Sequence, residues 1–337
     1  MTPEPKSLQQ AIVYFANPDN CIDYLAIRRW PDGKVICPTC GSDKVKFNPA
    51  RRLWQCSTHH PKRQFSIKVG TVMEDSAIGL DKWLTATWLV TNCKNGISSY
   101  EIARDVKVTQ KSAWFMLHRI RLAMQDDTIG TKFGNSGDGE VEVDESFVGG
   151  KFQNMHKSRK EAMKRAVDNS APRWKNTVSF PGKTAVMGIL DRNLRRVRAK
   201  VVPDVKRETL QIEILNQVEF GAKLYSDQAV AYDELASIYA HDVVNHAMEY
   251  VKGRVHTNGL ENFWSLLKRG LRGTYVAVEP FHLGRYVDEQ VFRYNNRATK
   301  SNPLNDSDRF NLVISQMLGK RLTFAELTGK EGAGTIH

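Results

Sequence analysis

Three acidic residues in the second half of the chain are difficult to explain by packing. Asp144 lies within a predicted strand, and Asp227 ends another predicted strand. A core strand has no packing reason to carry an inward-facing ionised carboxylate, because removing it from water is costly. Glu261 follows in the first turns of a predicted helix. Carboxylates that converge from separate elements bind hard divalent cations, so these three residues are candidate metal ligands.

The chemistry that such a set supports is phosphoryl transfer. Mg²⁺ takes oxygen ligands and leaves coordination positions for water and phosphate. Two such ions about 4 Å apart stabilise the attacking and leaving oxygens of an in-line displacement. Lys268 lies seven residues after Glu261, and a lysine suits contact with a phosphate group. We therefore expect Asp144, Asp227 and Glu261 to bind Mg²⁺ (or Mn²⁺) in a catalytic site that Lys268 completes.

The helix that would carry Glu261 has one apolar and one polar face. Its apolar residues recur at helical spacing and predict packing on a core: Leu260, Phe263, Trp264, Leu267 and Leu271. Glu261 and Lys268 lie on the other face. A purely structural interpretation is also open, because Asn258 and Glu261 form the sequence pattern of a capping box.

Neighbouring acids compete for a role in the site. Alternation along the strand puts Glu142 on the face of Asp144 and Glu145 on the opposite face. Glu142 is therefore a second-rank ligand candidate, or a surface or capping acid at the start of the strand. Glu289 can be explained structurally, by pairing with Arg293 four residues later on a helix.

A second set of metal-binding residues lies near the N-terminus. Cys37-Pro-Thr-Cys40 is a tight turn that lets two thiolates reach one ion, and Cys56 adds a third sulfur. His60 is the preferred fourth ligand, with His59 as the alternative. A closed set of three cysteines and one histidine favours structural Zn²⁺.

Short alternating segments around these residues predict a zinc ribbon. The segments 44–47, 53–56 and 64–67 alternate like strands. The alternative is a small hairpin domain without metal, but so small a domain rarely folds without a metal or a disulfide.

A helical region follows the ribbon. One helix is predicted over 80–90, a short helix begins after the capping residue Ser98, and a longer one begins after Thr109. A short helix, a tight turn and a capped second helix form a helix-turn-helix. The residues predicted to contact DNA are Gln110, Lys111, Ser112, Arg119 and Arg121. A helical bundle that binds no nucleic acid is the alternative.

The remainder predicts an α/β domain. Three strands, a helix, a strand, a helix, a strand and the helix of Glu261 follow one another, which is the order of an RNase H-like domain with a mixed sheet. We expect a multidomain chain. The predicted divisions are an N-terminal helix and zinc ribbon (1–72), an all-α helix-turn-helix domain (73–130), the α/β catalytic domain (138–305) with a mobile basic insertion (151–178), and a C-terminal tail (306–337).

Composition limits the partners and the compartment. The chain has 337 residues, with 49 Lys and Arg against 37 Asp and Glu, and the surplus of +12 favours a polyanionic partner such as nucleic acid. No run of 18 apolar residues and no N-terminal signal-peptide pattern occurs, so we expect no membrane partner and a cytoplasmic, nucleoid-associated protein.

These motifs together resemble a known family, the insertion-sequence DDE transposases that join a zinc ribbon to an RNase H-like domain, related to the Merlin group. The resemblance runs from about residue 11 to 302. It depends on the Cys37 turn, the segment 64–76, the helix-turn-helix, and the motifs around Asp144 and Asp227. The most specific part is the motif 256–270.

The resemblance implies DNA transposition, with Asp144, Asp227 and Glu261 as the acidic triad and Lys268 as the associated lysine. It implies double-stranded DNA partners, namely terminal inverted repeats and target DNA, and at least a homodimer in the synaptic complex. Many relatives carry cysteine where this chain offers histidine at the second zinc turn. Asn258 is a minor alternative to Glu261. A catalytically idle DNA-binding regulator and a simple nuclease are the competing functions.

Overall fold

The computed structural model describes residues 4–125, 131–134, 139–149, 157–158, 160–161, 183–227, 239–244, 256–300 and 302–329. The chain forms two compact units. The first unit comprises Met1–Asp127, Gly270–Val276 and Asp288–His337, and the second comprises Thr128–Arg269 and Ala277–Val287. Most of the predicted basic insertion (151–178) and of the predicted helix before the last strand lies outside the described residues.

Two helices open the first unit, where the sequence analysis predicted one N-terminal helix. Helix α1 spans Leu8–Phe15 and α2 spans Pro18–Arg29. The break between them has a local cause. The Asn17 side chain caps α2 by accepting from the Asp19 amide at 2.9 Å, and Pro18 has no N–H to continue α1.

The three strands predicted for the ribbon are present. Strands β1 (Val45–Asn48), β2 (Leu53–Cys56) and β3 (Gln64–Phe65) form an antiparallel sheet in that order. Trp54 on β2 pairs with Phe65 on β3, and their rings stack with centroids 6.0 Å apart. The inward face of this small sheet is therefore aromatic.

The three predicted helices that follow are also confirmed. They are α3 (Leu80–Asn92), α4 (Ser99–Asp105) and α5 (Gln110–Met124). Ser98 and Glu101 form a complete capping box at α4, and the Thr109 hydroxyl caps α5 by accepting from the Ser112 amide at 3.1 Å. The local capping chemistry thus defines the short helix, the turn and the longer helix.

The second unit contains a mixed five-stranded sheet. Its strands are β4 (Glu140–Val148), β5 (Thr184–Asp191), β6 (Arg196–Val202), β7 (Lys223–Asp227) and β8 (Ala240–Val244). The order across the sheet is β6-β5-β4-β7-β8. β5 is antiparallel to β4 and β6, whereas β7 is parallel to β4 and β8. The predicted mixed α/β sheet is confirmed.

Alternation along β4 gives the two faces of this sheet different chemistry. Val141 and Val143 face an apolar core that also holds Leu210 and Ile214 of helix α6 (Arg207–Gln217). The other face carries Glu140, Glu142 and Asp144 and lies against helix α7 (Asn258–Gly270). The strand therefore separates a dry core from a polar site.

Helices at the end of the chain change the predicted domain division. They are α8 (Leu283–Asn295), α9 (Asp306–Ser315) and α10 (Phe324–Leu327). Phe310 and Val313 of α9 are fully buried in one core with residues of the ribbon and of α3. The predicted C-terminal tail (306–337) is therefore wrong for its described part, and the ribbon and the helices share a core rather than forming separate domains.

A buried ionic cluster lies in the first unit. The Glu289 carboxylate accepts from Arg121, Arg293 and the Tyr275 hydroxyl, and Glu289 and Arg121 each have 1% of their side-chain surface exposed. The predicted pairing of Glu289 with Arg293 is confirmed, with Arg121 as a further partner. Burial raises the pKa of Tyr275 to about 12, and the adjacent Glu289 charge adds to this rise.

No helix in the described part of the chain has the length and apolar character that a membrane span requires.

Candidate functional site

Asp144 lies near the middle of β4, half-buried on the polar face of the sheet. Its Oδ2 accepts a hydrogen bond from the indole Nε1 of Trp264 at 2.9 Å, and its Oδ1 accepts from the Glu145 amide at 2.8 Å. Trp264 belongs to α7, so this contact joins the strand of one candidate ligand to the helix of another.

A glycine in the neighbouring strand makes this contact possible. Gly188 pairs with Asp144 across β4 and β5, and a Cβ at Gly188 would lie 2.7 Å from Cζ2 of Trp264. Real Cβ atoms do not approach this closely. The indole ring can therefore approach the strand this closely because position 188 has no side chain.

The start of α7 differs from the sequence expectation. The helix begins at Asn258, and its first hydrogen bond runs from the Glu261 amide to the Thr257 carbonyl at 3.0 Å, so Thr257 is the capping position. The capping box of Asn258 and Glu261 is therefore wrong. A residue of another element replaces it, because the Glu142 carboxylate accepts from the Leu260 amide at 3.0 Å.

Glu261 is exposed in the first turn of α7, one turn before Trp264. Residues three apart on a helix are neighbours on its surface. The Trp264 contact with Asp144 therefore fixes the part of α7 from which the Glu261 carboxylate projects. An exposed carboxylate without a capping role is free for a ligand.

Asp227 ends β7, the parallel neighbour of β4. The pairing between these strands runs from Glu140 with Lys223 to Glu142 with Tyr225. Extending this register by two residues leads to Asp144 on β4 and Asp227 on β7. The two predicted aspartates therefore lie on neighbouring strands, each two residues beyond the last pair. Lys268 lies two turns after Glu261 on α7 and is half-buried.

Sequence reasoning missed the roles of Trp264 and Arg192. The helical spacing predicts Trp264 only as part of the apolar face of its helix. A buried indole N–H usually needs a hydrogen-bond acceptor, and this requirement could have pointed to a polar partner. Arg192 follows β5 and donates through Nε to the Glu142 Oε1 at 2.7 Å. No local pattern pointed to that pair, because its members are far apart in the chain.

The predicted zinc ligands converge in the first unit. One ligand atom from each of Cys37, Cys40, Cys56 and His60 lies within 4.8 Å of all the others. The Sγ atoms of Cys40 and Cys56 are 3.7 Å apart, and Sγ of Cys37 is 3.4 Å from Nε2 of His60. Among the described residues, these four form the group of histidine, cysteine and acidic side chains that lie close enough together to hold a metal ion.

These distances fit tetrahedral Zn²⁺. With Zn–S bonds of about 2.3 Å and Zn–N bonds of about 2.0 Å, sulfur atoms in a tetrahedron lie about 3.8 Å apart and sulfur and nitrogen about 3.5 Å apart. Gly41 permits the first turn, because it adopts φ +72° and donates to the Cys37 carbonyl at 2.9 Å. The arrangement favours His60 over its neighbour His59 as the fourth ligand.

We expect His60→Ala to lower zinc retention strongly, whereas His59→Ala retains one zinc ion per chain. Removing the imidazole opens a closed structural site, but its exposed neighbour supplies no ligand. The measurement is zinc content by plasma mass spectrometry after dialysis against a chelator. The assignment is wrong if His59→Ala loses zinc and His60→Ala does not. Cys93→Ala, at a half-buried cysteine outside the cluster, should likewise retain the zinc ion.

Two of the five residues predicted to contact DNA are buried. Arg119 donates to the backbone carbonyls of Leu322 at 2.9 Å and Glu74 at 2.8 Å, and Arg121 is paired with Glu289. Their guanidinium groups hold the first unit together and do not reach a groove. The prediction for Arg119 and Arg121 is therefore wrong.

The other three lie at the accessible start of α5. Lys111 is exposed, and Gln110 and Ser112 are partly exposed. The Gln110 amide donates to the Ser99 hydroxyl at 2.9 Å, which links the first turn of α5 to α4. DNA contact by these three residues stays a prediction.

Two family models match this chain. Residues 16–58 match the transposase zinc-ribbon domain, a range that includes the three cysteine ligands and ends before His60. Residues 137–295 match the ISXO2-like transposase domain, a range that includes Asp144, Asp227 and Glu261. The chain therefore carries a zinc-ribbon region followed by a region similar to a transposase catalytic domain.

A curated relative is similar over most of the chain. It is described as an uncharacterized protein in transposable element ISH50 of Halobacterium salinarum, and it is 24% identical over 287 residues. The match covers 83% of this chain and 93% of the relative. The similarity thus extends across both units.

Proposed function

We propose that this chain is a DDE transposase that cleaves DNA at the terminal inverted repeats of its element and joins the ends to target DNA. The observation that carries the proposal is the hydrogen bond between Trp264 and Asp144, because it brings the helix of Glu261 to the strand of Asp144. The similarity to an ISXO2-like transposase domain over the same residues supports it. The strand order supports an RNase H-like assignment for this domain.

Asp144, Asp227 and Glu261 are the proposed ligands of Mg²⁺ (or Mn²⁺). Three carboxylates from two adjacent strands and one helix are an oxygen-only donor set, which suits this ion. When bound, Mg²⁺ supplies electrostatic stabilisation of the phosphoryl transfer. Trp264 holds Asp144 through Oδ2. Lys268, on the same helix as Glu261, is the proposed contact to a DNA phosphate.

The reaction has two steps at phosphorus. In cleavage, water attacks a phosphodiester and the bond to the 3′-oxygen breaks, which leaves a 3′-hydroxyl and a 5′-phosphate. In joining, that 3′-hydroxyl attacks a target phosphodiester and displaces another 3′-oxygen. Both steps are in-line displacements with the same charge distribution, so one set of carboxylates can serve both.

DNA recognition is assigned to the first unit. Gln110, Lys111 and Ser112 begin a capped helix after a tight turn, and this geometry suits entry of the N-terminal residues into the major groove. The net charge of +12 favours binding to the phosphate backbone. Cutting two ends of one element requires at least a homodimer in the active complex.

The experiment uses the full chain with Mg²⁺ and duplexes taken from the two ends of the DNA that flanks the coding sequence, together with a supercoiled target plasmid. We expect nicking that leaves 3′-hydroxyl ends, followed by their covalent joining to the plasmid. Nicking without joining would instead identify a nuclease. Specific binding without nicking, in Mg²⁺ and in Mn²⁺, would identify a DNA-binding regulator. Either result overturns the proposal.

A further inference from the structure

Glu142 is a buried carboxylate on β4, two residues before Asp144 on the same face of the sheet. Only 2% of its side-chain surface is exposed. Its Oε2 accepts from the Leu260 amide at 3.0 Å, and its Oε1 accepts from Nε of Arg192 at 2.7 Å. One side chain therefore joins β4, the turn after β5 and the first turn of α7.

The contact between Glu142 and α7 requires a glycine on the helix. A Cβ at Gly259 would lie 2.9 Å from Oε2 of Glu142 and 2.9 Å from Cδ1 of Leu190. Because position 259 has no side chain, the helix start approaches the carboxylate closely enough for a backbone hydrogen bond. A negative charge at a helix N-terminus is also favourable electrostatically.

Arg192 extends the network to β7. Its guanidinium lies over the Tyr225 ring, 4.1 Å from the centroid, and donates to the carbonyl of His256 just before α7. Its Nη1 is 3.7 Å from Oε2 of Glu140, whose Oε1 accepts from the Tyr225 hydroxyl at 3.2 Å. The Arg192 guanidinium thus contacts β4 and β7, the strands that carry the proposed aspartates, and the residue just before α7.

The network is adjacent in sequence to every proposed metal ligand. It contains the residue two positions before each aspartate, Glu142 and Tyr225, and the residue immediately before the glutamate, Leu260. A shift of the backbone at any of these three residues should therefore move the proposed metal ligand that follows it in the chain. Leu260 and Tyr225 are also buried in the core, whereas the Glu142 carboxylate is held there by polar contacts alone, with the Leu260 amide and Arg192.

We propose that Glu142 is a positioning residue of the active site: it holds the N-terminus of α7 against β4 and so sets the distance between Glu261 and Asp144. This inference depends on the proposed function, because it gives Glu142 a role in metal binding by the triad. This positioning role differs from both roles that the sequence left open for Glu142, a second-rank metal ligand or a surface or capping acid. Each oxygen of the Glu142 carboxylate already accepts a hydrogen bond, one from the Leu260 amide and one from Arg192.

The test is Glu142→Gln in the strand-cleavage assay. Glutamine has the same shape but only one acceptor oxygen, so it cannot satisfy both the Leu260 amide and Arg192. We expect kcat to fall ~10–100-fold, because small misplacements of reacting groups have such effects. We expect the Mg²⁺ concentration for half-maximal cleavage to rise ~10-fold, as for outer-shell substitutions at metal sites. The KM for DNA should not change.

Glu140→Gln is the matched control. Glu140 lies on the same strand, is nearly as buried, and also faces Arg192, but its contacts with Arg192 and the Tyr225 hydroxyl do not involve α7. A loss of stability alone lowers the active fraction in both variants without moving the Mg²⁺ dependence. The proposal is overturned if Glu142→Gln leaves the Mg²⁺ dependence unchanged, or if Glu140→Gln shifts it equally.

Hydrogen exchange provides a readout that needs no activity. In a peptide covering residues 256–267, Glu142→Gln should speed exchange of the first-turn amides, and Glu140→Gln should not. Unchanged exchange in Glu142→Gln overturns the positioning role. If the wild-type protein does not cleave DNA at all, the proposed function fails, whereas the exchange result still decides whether Glu142 holds the helix.

Discussion

Replacing Glu261 with glutamine should lower the rate of strand cleavage roughly 10³-fold or more, a loss typical of groups that act directly in a reaction. The amide keeps the shape of the side chain but removes the charge that the proposed metal ligand requires. Glu261 is exposed and has no capping role, so the substitution should leave folding and DNA binding intact. Asp227→Asn should lower the rate of strand cleavage by a similar factor.

Glu208→Gln is the control for this substitution. Glu208 is likewise an exposed glutamate in the first turn of a helix, α6, so its replacement removes the same favourable interaction with the helix dipole. The measurement is single-turnover cleavage of end DNA at saturating protein, with binding followed by fluorescence anisotropy. Metal-dependent cleavage by Glu261→Gln at the wild-type rate would refute the assignment of Glu261.

Glu289→Gln should destabilise the first unit by about 3–5 kcal/mol, the usual cost of removing one partner from a buried ion pair. Glutamine fills the same volume, so no cavity forms. The loss arises because Arg121 and Arg293 remain buried without their shared carboxylate. The measurement is calorimetric unfolding of the full chain at neutral pH.

Asp19→Asn is the comparison for Glu289→Gln. Asp19 also pairs with an arginine, Arg52, at 2.6 Å, but both side chains are largely exposed. An exposed pair of this kind contributes little to stability, because solvent screens the two charges. Equal effects of the two substitutions would contradict the importance of the buried cluster.

The pH dependence of the unfolding free energy provides an independent test of the cluster around Glu289. Burial alone raises the pKa of Glu289, but the charges of Arg293 and Arg121 outweigh it and hold this pKa below its ordinary value. The stability from this carboxylate is therefore present above its unfolded pKa of about 4.3 and is lost as the pH falls through the lower folded pKa. The difference in stability between wild type and Glu289→Gln should thus narrow on acidification below about pH 4.

Local chemistry explains which parts of the fold could be predicted. The caps Ser98 and Thr109, the turn between Cys37 and Cys40, and the alternation along β4 act over a few residues, and the structure confirms the elements that they predict. Helical and strand periodicity likewise placed Asp144 on a strand and Glu261 on a helix.

Long-range pairing explains what could not be predicted. The capping box at Asn258 is a valid local pattern, but the helix is capped one residue earlier, at Thr257, and the acceptor for the Leu260 amide is Glu142, far earlier in the chain. Arg119 and Arg121 occupy helix positions that the sequence alone presents as basic and exposed. They are buried because residues after position 280 cover them, including Glu289 and Leu322.

Gly188 and Gly259 have a consequence for how this site tolerates mutation. One lies under Trp264 and the other against Glu142, and a single methyl group at either position would overlap its neighbour at less than 3.0 Å. The conservative change from glycine to alanine is therefore more disruptive here than many large changes on the exposed face of α7. Two residues with no side chain and no part in the chemistry are among the most constrained positions around it.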